Sequence, residues 1–205
     1  MPSTHSWLSR LARWAAELLL VFLGAYAAFW LTNHQEHRQE ALRRHQILGA
    51  LEEQTSNDLV SAKAEHERIG KIAAEFRRAL AAGEMPLPKP FSFNTDYSAT
   101  DVATLLQSGG YQLLDIKTLV ALHRLESVLR GGISMMSHAE RLSDALIAPN
   151  LDQDITFFYD PATKQLRNRF SRYVLALDSF DGFYDNYIQA LTNLLAQIRA
   201  ERQKQ

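Results

Sequence analysis

The sequence predicts an all-α protein, with an N-terminal transmembrane helix continuing into a long antiparallel helical bundle of three long helices plus a short one. Three observations lead there. One apolar run near the N-terminus is long enough to cross a bilayer. Three later stretches repeat apolar residues in steps of three and four, the period of a helix that buries one face. No stretch reads convincingly as a strand.

The apolar run is Trp14–Leu31, 18 residues whose only charge is Glu17. At about 1.5 Å per residue it spans ~27 Å, against a hydrocarbon core of about 30 Å. Trp14 and Trp30 stand near its ends, where amphipathic aromatics favour the headgroup level. The run divides the chain into a short tail (1–13), an anchor (14–31) and a helical domain (32–205). A cleaved leader is the rival reading. Arg10 and Arg13 would supply its basic region, and Ala25-Tyr26-Ala27 has the small-x-small form of a cleavage site. Against it, the apolar run continues past that site to Leu31. Basic residues flank both sides: Arg10 and Arg13 before the run, and Arg38, Arg43 and Arg44 after it. The short basic tail favours a cytoplasmic N-terminus and a periplasmic domain at the bacterial inner membrane.

The first long helix starts near Asn33. Its seam is Leu48, Leu51, Thr55, Leu59, Ala62, His66, Ile69, Ala73, Phe76 and Leu80, and it stops at Gly83 ahead of Pro86, Pro88 and Pro90. Its ~50 residues would reach ~75 Å. No breaker separates it from the apolar run. Glu84–Tyr97 is a connector, with Phe91 and Phe93 expected to pack back onto the bundle. Ser98 or Thr100 caps a short helix ending at Ser108-Gly109-Gly110. Asp115 caps the next long helix, whose seam is Leu119, Leu122, Leu125, Leu129, Ile133, Met136, Ala139, Leu142 and Leu146. The register runs through Gly131-Gly132, so one helix is expected to about Ile147 despite a cost of ~2 kcal/mol for two interior glycines. Asp160-Pro161 is expected to start the last helix. Its seam is Leu166, Phe170, Tyr173, Leu177, Phe180, Tyr184, Tyr187, Leu191, Leu194 and Ile198. Short connections imply antiparallel packing, which would bring Leu151–Tyr159 to the membrane side.

Composition narrows function more than it defines it. The chain is 46% hydrophobic and 22% charged with a net charge of -1, so nothing points to nucleic acid. It has no cysteine, which removes disulfides, iron–sulfur ligation and thiol nucleophiles. No Gly-x-Ser-x-Gly, phosphate-binding loop or dinucleotide fingerprint occurs, and no cofactor or enzymatic activity is expected.

Residues 16–38 carry a resemblance. Glu17, Leu18, Leu19, Val21, Gly24, Ala28, Asn33, Glu36 and Arg38 are similar to an uncharacterised bacterial family of short single-pass membrane-anchored helical proteins. Its members open on Gly-Glu and an aliphatic anchor with a central glycine, then an Asn-Asn-Trp-Asn-Glu-like stretch. Ala16 replaces the glycine here, and His34-Gln35 replaces Trp-Asn. Leu106–Gly110 before Leu113-Leu114 resembles the end of that family's short helix. The resemblance implies an anchor followed by helices, and no catalytic residue.

Several groups are candidates for more than packing. Glu17 sits in the apolar run, where an ionisable residue suggests a helix contact; one turn from Arg13, it could equally sit at the interface. Gly24 and Ala28 form a small-xxx-small face for a second anchor. Phe157, Phe158 and Tyr159 would touch headgroups or close the bundle's end. His34, His37 and Glu40 share one face, which is metal geometry or a polar juxtamembrane surface. Asp178, Asp181 and Asp185 form an acidic stripe that binds a cation or pairs with basic side chains. The aromatics of the last helix, with Phe183 off the seam, line a ligand pocket or form core.

Two functions compete on these residues. One is a non-enzymatic, membrane-tethered scaffold or interaction module. The other is an extracytoplasmic bundle sensor for a small ligand, which would need a partner to carry its signal inward. Leu42, Ile47, Val60 and Ile72 on the first helix, and Ile116, Val120, Val128 and Met135 on the next, lie off the seams. Such wide apolar faces imply two neighbours inside the bundle, or a homo-oligomer or another membrane protein besides the lipid bilayer.

Overall fold

In the computed structural model of this chain, residues 5–93 and 109–204 are described, by backbone alone for 5–13 and 15–17. The chain falls into two compact units, Met1–Gln46 and Ile47–Gln205. Among the described residues there are three long helices: α1 (His5–Ala81), α2 (Ile116–Leu146) and α3 (Ser171–Arg202). Short 3-10 turns occupy Gly110–Leu113, Ala148–Asn150, Ile155–Phe157 and Asn168–Phe170. The sole strand-like pairing among the described residues is an antiparallel bridge between Tyr159 and Leu166.

α1 contains no proline and is unbroken from the apolar run onward. Its end follows from Gly83, whose φ of 73° suits a residue without Cβ. The Glu84 N–H reaches back to the Ala79 carbonyl (2.9 Å) and the Gly83 N–H to that of Leu80 (3.0 Å), the paired bonds of a Schellman stop. In the second unit its expected seam is the buried face: Leu48, Leu51, Thr55, Ala62, Ile69, Ala73 and Phe76 are buried. Of the off-seam set, Ile47 is buried while Leu42, Val60 and Ile72 are exposed.

α2 runs straight through Gly131-Gly132. Its buried positions include Thr118, Leu125, Leu129, Gly132, Met136, Ala139 and Ser143. Ile133, expected on the seam, is instead exposed. The face turns by one residue there because Gly132 receives the Phe183 ring of α3, and a Cβ at 132 would stand 2.8 Å from Cδ2 and closer still to Cε2 and Cζ. Asp115 holds the N-cap position without a side-chain capping bond. Its carboxylate takes Lys204 Nζ at 2.7 Å, and its N–H donates to Glu201 Oε1 at 3.0 Å.

α3 starts at Ser171, not at Asp160-Pro161. The Asp160 carboxylate accepts the N–H groups of Ala162 (2.8 Å) and Thr163 (3.1 Å), closing a local turn that Lys164 leaves with φ 55°. A capping residue and a turn residue use the same acceptor geometry, so the sequence signal was shared. Leu166 consequently lies outside the helix. From Phe170 to Ile198 every seam residue is buried.

The helices do not all run antiparallel as expected. Glu52 meets Arg199, His66 meets Asp181 and Arg77 meets Asp178, so α1 opposes α3. Thr118 meets Glu201 and Gly132 meets Phe183, so α2 also opposes α3. α1 and α2 are therefore parallel. The chain between them must return from the end of α1 to the start of α2, and residues 94–108 of it lie outside the described residues. It begins that return at Pro86, beside Tyr159, and passes Tyr173, Ser143 and Glu140 in turn. The expected helix between Ser98 or Thr100 and Gln107 lies outside the described residues. The main core joins all three helices, and two smaller clusters close the end where α1 stops.

Candidate functional site

Two features offer surface beyond the packed core: the apolar exterior of the N-terminal unit and a groove beside the connector.

In the first unit apolar residues are exposed on every side of α1. Leu20, Val21, Phe22, Tyr26 and Phe29 are all 70–72% exposed, and Leu18, Leu19, Leu23, Trp30 and Leu31 are exposed too. A helix that packs on a core shows one apolar stripe, whereas a sleeve apolar all round needs an apolar surrounding. Among the described residues no helix is long and apolar enough to cross a membrane. The sleeve whose side chains are described, Leu18–Leu31, spans only ~21 Å at 1.5 Å per residue. Trp14 is 72% exposed. The Glu17 side chain, and those of the tail, lie outside the described residues. Among the described residues, and apart from its own helix backbone and chain neighbours, nothing lies within 4 Å of a Cβ position on Gly24, and the Ala28 carbonyl accepts the Thr32 hydroxyl at 2.9 Å.

His34 stacks on Trp30 (5.6 Å between centroids), while His37 Nδ1 lies 3.7 Å from Glu40. The three expected metal-type residues thus divide between two local contacts. Among the described residues no three His, Asp or Glu side chains are grouped to hold a metal ion.

The acidic stripe of α3 is used against α1. Arg77 holds Asp178 at 2.6 Å, and His66 lies 2.8 Å from Asp181 and 3.9 Å from Asp185 while stacking on Tyr184. Two further interhelix contacts gave no signal in the seams. Glu52 pairs with Arg199 at 2.8 Å and with Arg202, and the two guanidiniums, Arg199 first, hold its carboxyl below the usual range. Glu201, 1% exposed, accepts the Thr118 hydroxyl at 2.6 Å and the Asp115 N–H. The only sequence trace of either is a charge on or beside an apolar seam.

Phe157, Phe158 and Tyr159 lie with Leu80 and Met85, at the bundle end opposite Ile47. They pack together to close that end of the bundle, one of the two readings their sequence position left open. Phe158 and Tyr159 have no exposed surface to offer a headgroup. Phe157 is half-buried under Arg169, whose guanidinium carbon stands 4.0 Å above its ring. The Tyr159 hydroxyl donates to the Pro86 carbonyl at 2.6 Å, and burial pushes its ionisation up to about 12.

Most α3 aromatics are core, Phe183 included; it stacks on Tyr187 (5.7 Å) in the hollow left by Gly132. The exception is a groove of about 210 Å³ between α1 and the connector. Tyr173, Leu177 and Phe180 of α3 and Ile69 and Ile72 of α1 line it, with Phe91 and Phe93 of the connector. Phe91 stacks on Tyr173 (4.8 Å), and Phe93 leans on Phe180 (4.6 Å). Arg68 and Lys89 are its charged lining residues. The Tyr173 hydroxyl accepts the Lys89 N–H at 3.2 Å, and burial pushes its ionisation upward despite that donor.

No family model, no curated protein and no solved structure matches this chain.

Proposed function

We propose that this chain is a membrane-tethered helical module, with Trp14–Leu31 as a single span, that acts by associating with other proteins and not by catalysis. The observation that carries this reading is the all-round exposure of the apolar sleeve on an unbroken helix. Burying such a side chain is worth about 1.5–3 kcal/mol, so the eleven exposed between Trp14 and Leu31 strongly favour an apolar surrounding. Counted from Trp14, the run has the 18 residues a span requires. The resemblance of residues 16–38 to short anchored bacterial proteins supports the same reading. The basic tail supports a cytoplasmic N-terminus and a periplasmic domain. The outward Ile116, Val120 and Val60, 62–72% exposed, support a further protein contact, with a second copy or another membrane protein.

The test is alkaline extraction of membranes from bacteria that express the full chain. It should stay in the pellet, and a Leu20→Glu/Phe22→Glu variant should be released. Recovery of the unaltered chain in the supernatant would overturn the span. Light scattering of the full chain in detergent then tests association: a monomer, with no partner recovered from membranes, would sink that half of the reading.

A further inference from the structure

The groove beside the connector has chemistry that tethering leaves unused. Its floor is aromatic: Phe180 lies under Phe93, and Tyr173 under Phe91. Among the described residues its charge is one-sided, because Arg68 and Lys89 line it and no carboxylate does. Arg68 already holds Glu65 through Nε at 2.8 Å. Lys89 is exposed and forms no ion pair among the described residues. The third polar feature is the phenol of Tyr173, a residue only 7% exposed. Its oxygen accepts the Lys89 N–H, while its own hydrogen has no acceptor among the described residues. A buried hydroxyl normally places its proton as well as its lone pair. A charge and a donor at the edge of an apolar bed match an anionic head on an apolar body.

We propose that this groove binds a small aromatic monocarboxylate. The ring would lie among Phe91, Phe93 and Phe180, where offset and edge contacts between rings add to simple burial. The carboxylate would face the Lys89 ammonium and accept the Tyr173 proton, a charge-assisted pair of bonds. One exposed cation without an ion pair among the described residues matches one negative charge. The volume of about 210 Å³ lies below the 300–1,000 Å³ usual for drug-sized ligands, which selects a one- or two-ring body. A cationic ligand is disfavoured by Arg68 and Lys89. The site does not depend on how the chain is anchored.

The test is calorimetric titration of the full chain, held in nanodiscs of zwitterionic lipid, with indole-3-acetate as probe and indole-3-ethanol as its neutral counterpart. Empty nanodiscs give the partitioning background. Saturable binding of the acid is expected, with the alcohol weaker by about tenfold, as loss of one charge-assisted bond implies. Lys89→Gln and Ser92→Asp alter exposed positions, so melting should be unchanged while affinity for the acid falls by about tenfold in each. No saturable heat up to millimolar probe, as when another part of the chain occupies the groove, would overturn the proposal. So would equal affinity for acid and alcohol, or unchanged affinity in both variants.

Discussion

Gly132 of α2 lies directly against the ring of Phe183 in α3, with no space for a methyl group between them. Its neighbour Gly131 faces open space and has nothing within 4 Å of a Cβ position. The two glycines of one pair should therefore respond oppositely to alanine. Gly131→Ala should stabilise the protein by ~0.5–1 kcal/mol through helix propensity. Gly132→Ala gains the same propensity and loses more, because Phe183 is braced by Tyr184 and Tyr187. Overpacking of this kind costs about 1–3 kcal/mol. Thermal melts of both variants check the opposition, and Phe183→Leu should recover part of the Gly132→Ala loss. Two variants of equal stability would refute the close approach.

Tyr159 makes stability depend on alkaline pH. Its phenol ionises near 10 in an unfolded chain and is pushed up to about 12 when folded, chiefly by burial. The folded state then holds the proton that the unfolded state loses, so the contribution is whole below pH 10 and declines as pH rises towards 12. Tyr159→Phe should cost about 0.5–1.5 kcal/mol at pH 8 for the lost bond to Pro86. Urea midpoints should show that difference shrinking above pH 10. A constant difference would show that the hydroxyl is not held in a buried bond.

Glu52 has the opposite sign. Arg199 and then Arg202 depress its ionisation from the ordinary 4.5, so its contribution is present above that value and disappears as pH falls below it. The pair is partly open to solvent, and Glu52→Gln should cost only ~0.5–1 kcal/mol at neutral pH. The cost should diminish in high salt and vanish in acid. Denaturation at two ionic strengths measures it.

Thr118 matters through Glu201. Thr118→Val keeps the shape of the side chain and removes the hydroxyl that donates to a buried carboxylate. A loss of about 1–3 kcal/mol is expected, more than for Glu52→Gln. Equal melting temperatures for wild type and Thr118→Val would show that Glu201 is served by other donors.

Helix identity was legible along the chain because burial acts residue by residue: the α3 seam from Phe170 to Ile198 is buried at every step. Gly83 was legible as a stop because its backbone conformation excludes most other residues. Direction was not. Periodicity tells which face is buried and says nothing of which way a helix points, so the parallel pair α1 and α2 depended on a connector that periodicity does not see. The start of α3 was misplaced because Asp160 bonds a turn as readily as it caps a helix. Within the candidate groove, Phe91 and Phe93 were legible as packing residues. The exposed Lys89 was not, since its role depends on a chain path fixed by tertiary contacts.

The connector has a consequence for how the chain can be threaded. Pro86, Pro88 and Pro90 alternate with residues whose N–H groups are used: Lys89 donates to Tyr173, Phe91 to Ser143 and Phe93 to Glu140. Prolines have no N–H to give, and here they occupy places where none is asked for. A slip by one residue would set Pro88, Pro90 and Ser92 against these acceptors, leaving Tyr173 and Ser143 without donors and turning Phe91 and Phe93 outward. The alternation therefore works as a ratchet tooth, admitting the extended chain in one phase and rejecting the neighbouring one. An inserted residue before Lys89 should be far more harmful than the same insertion in the exposed loop at Ala162-Thr163.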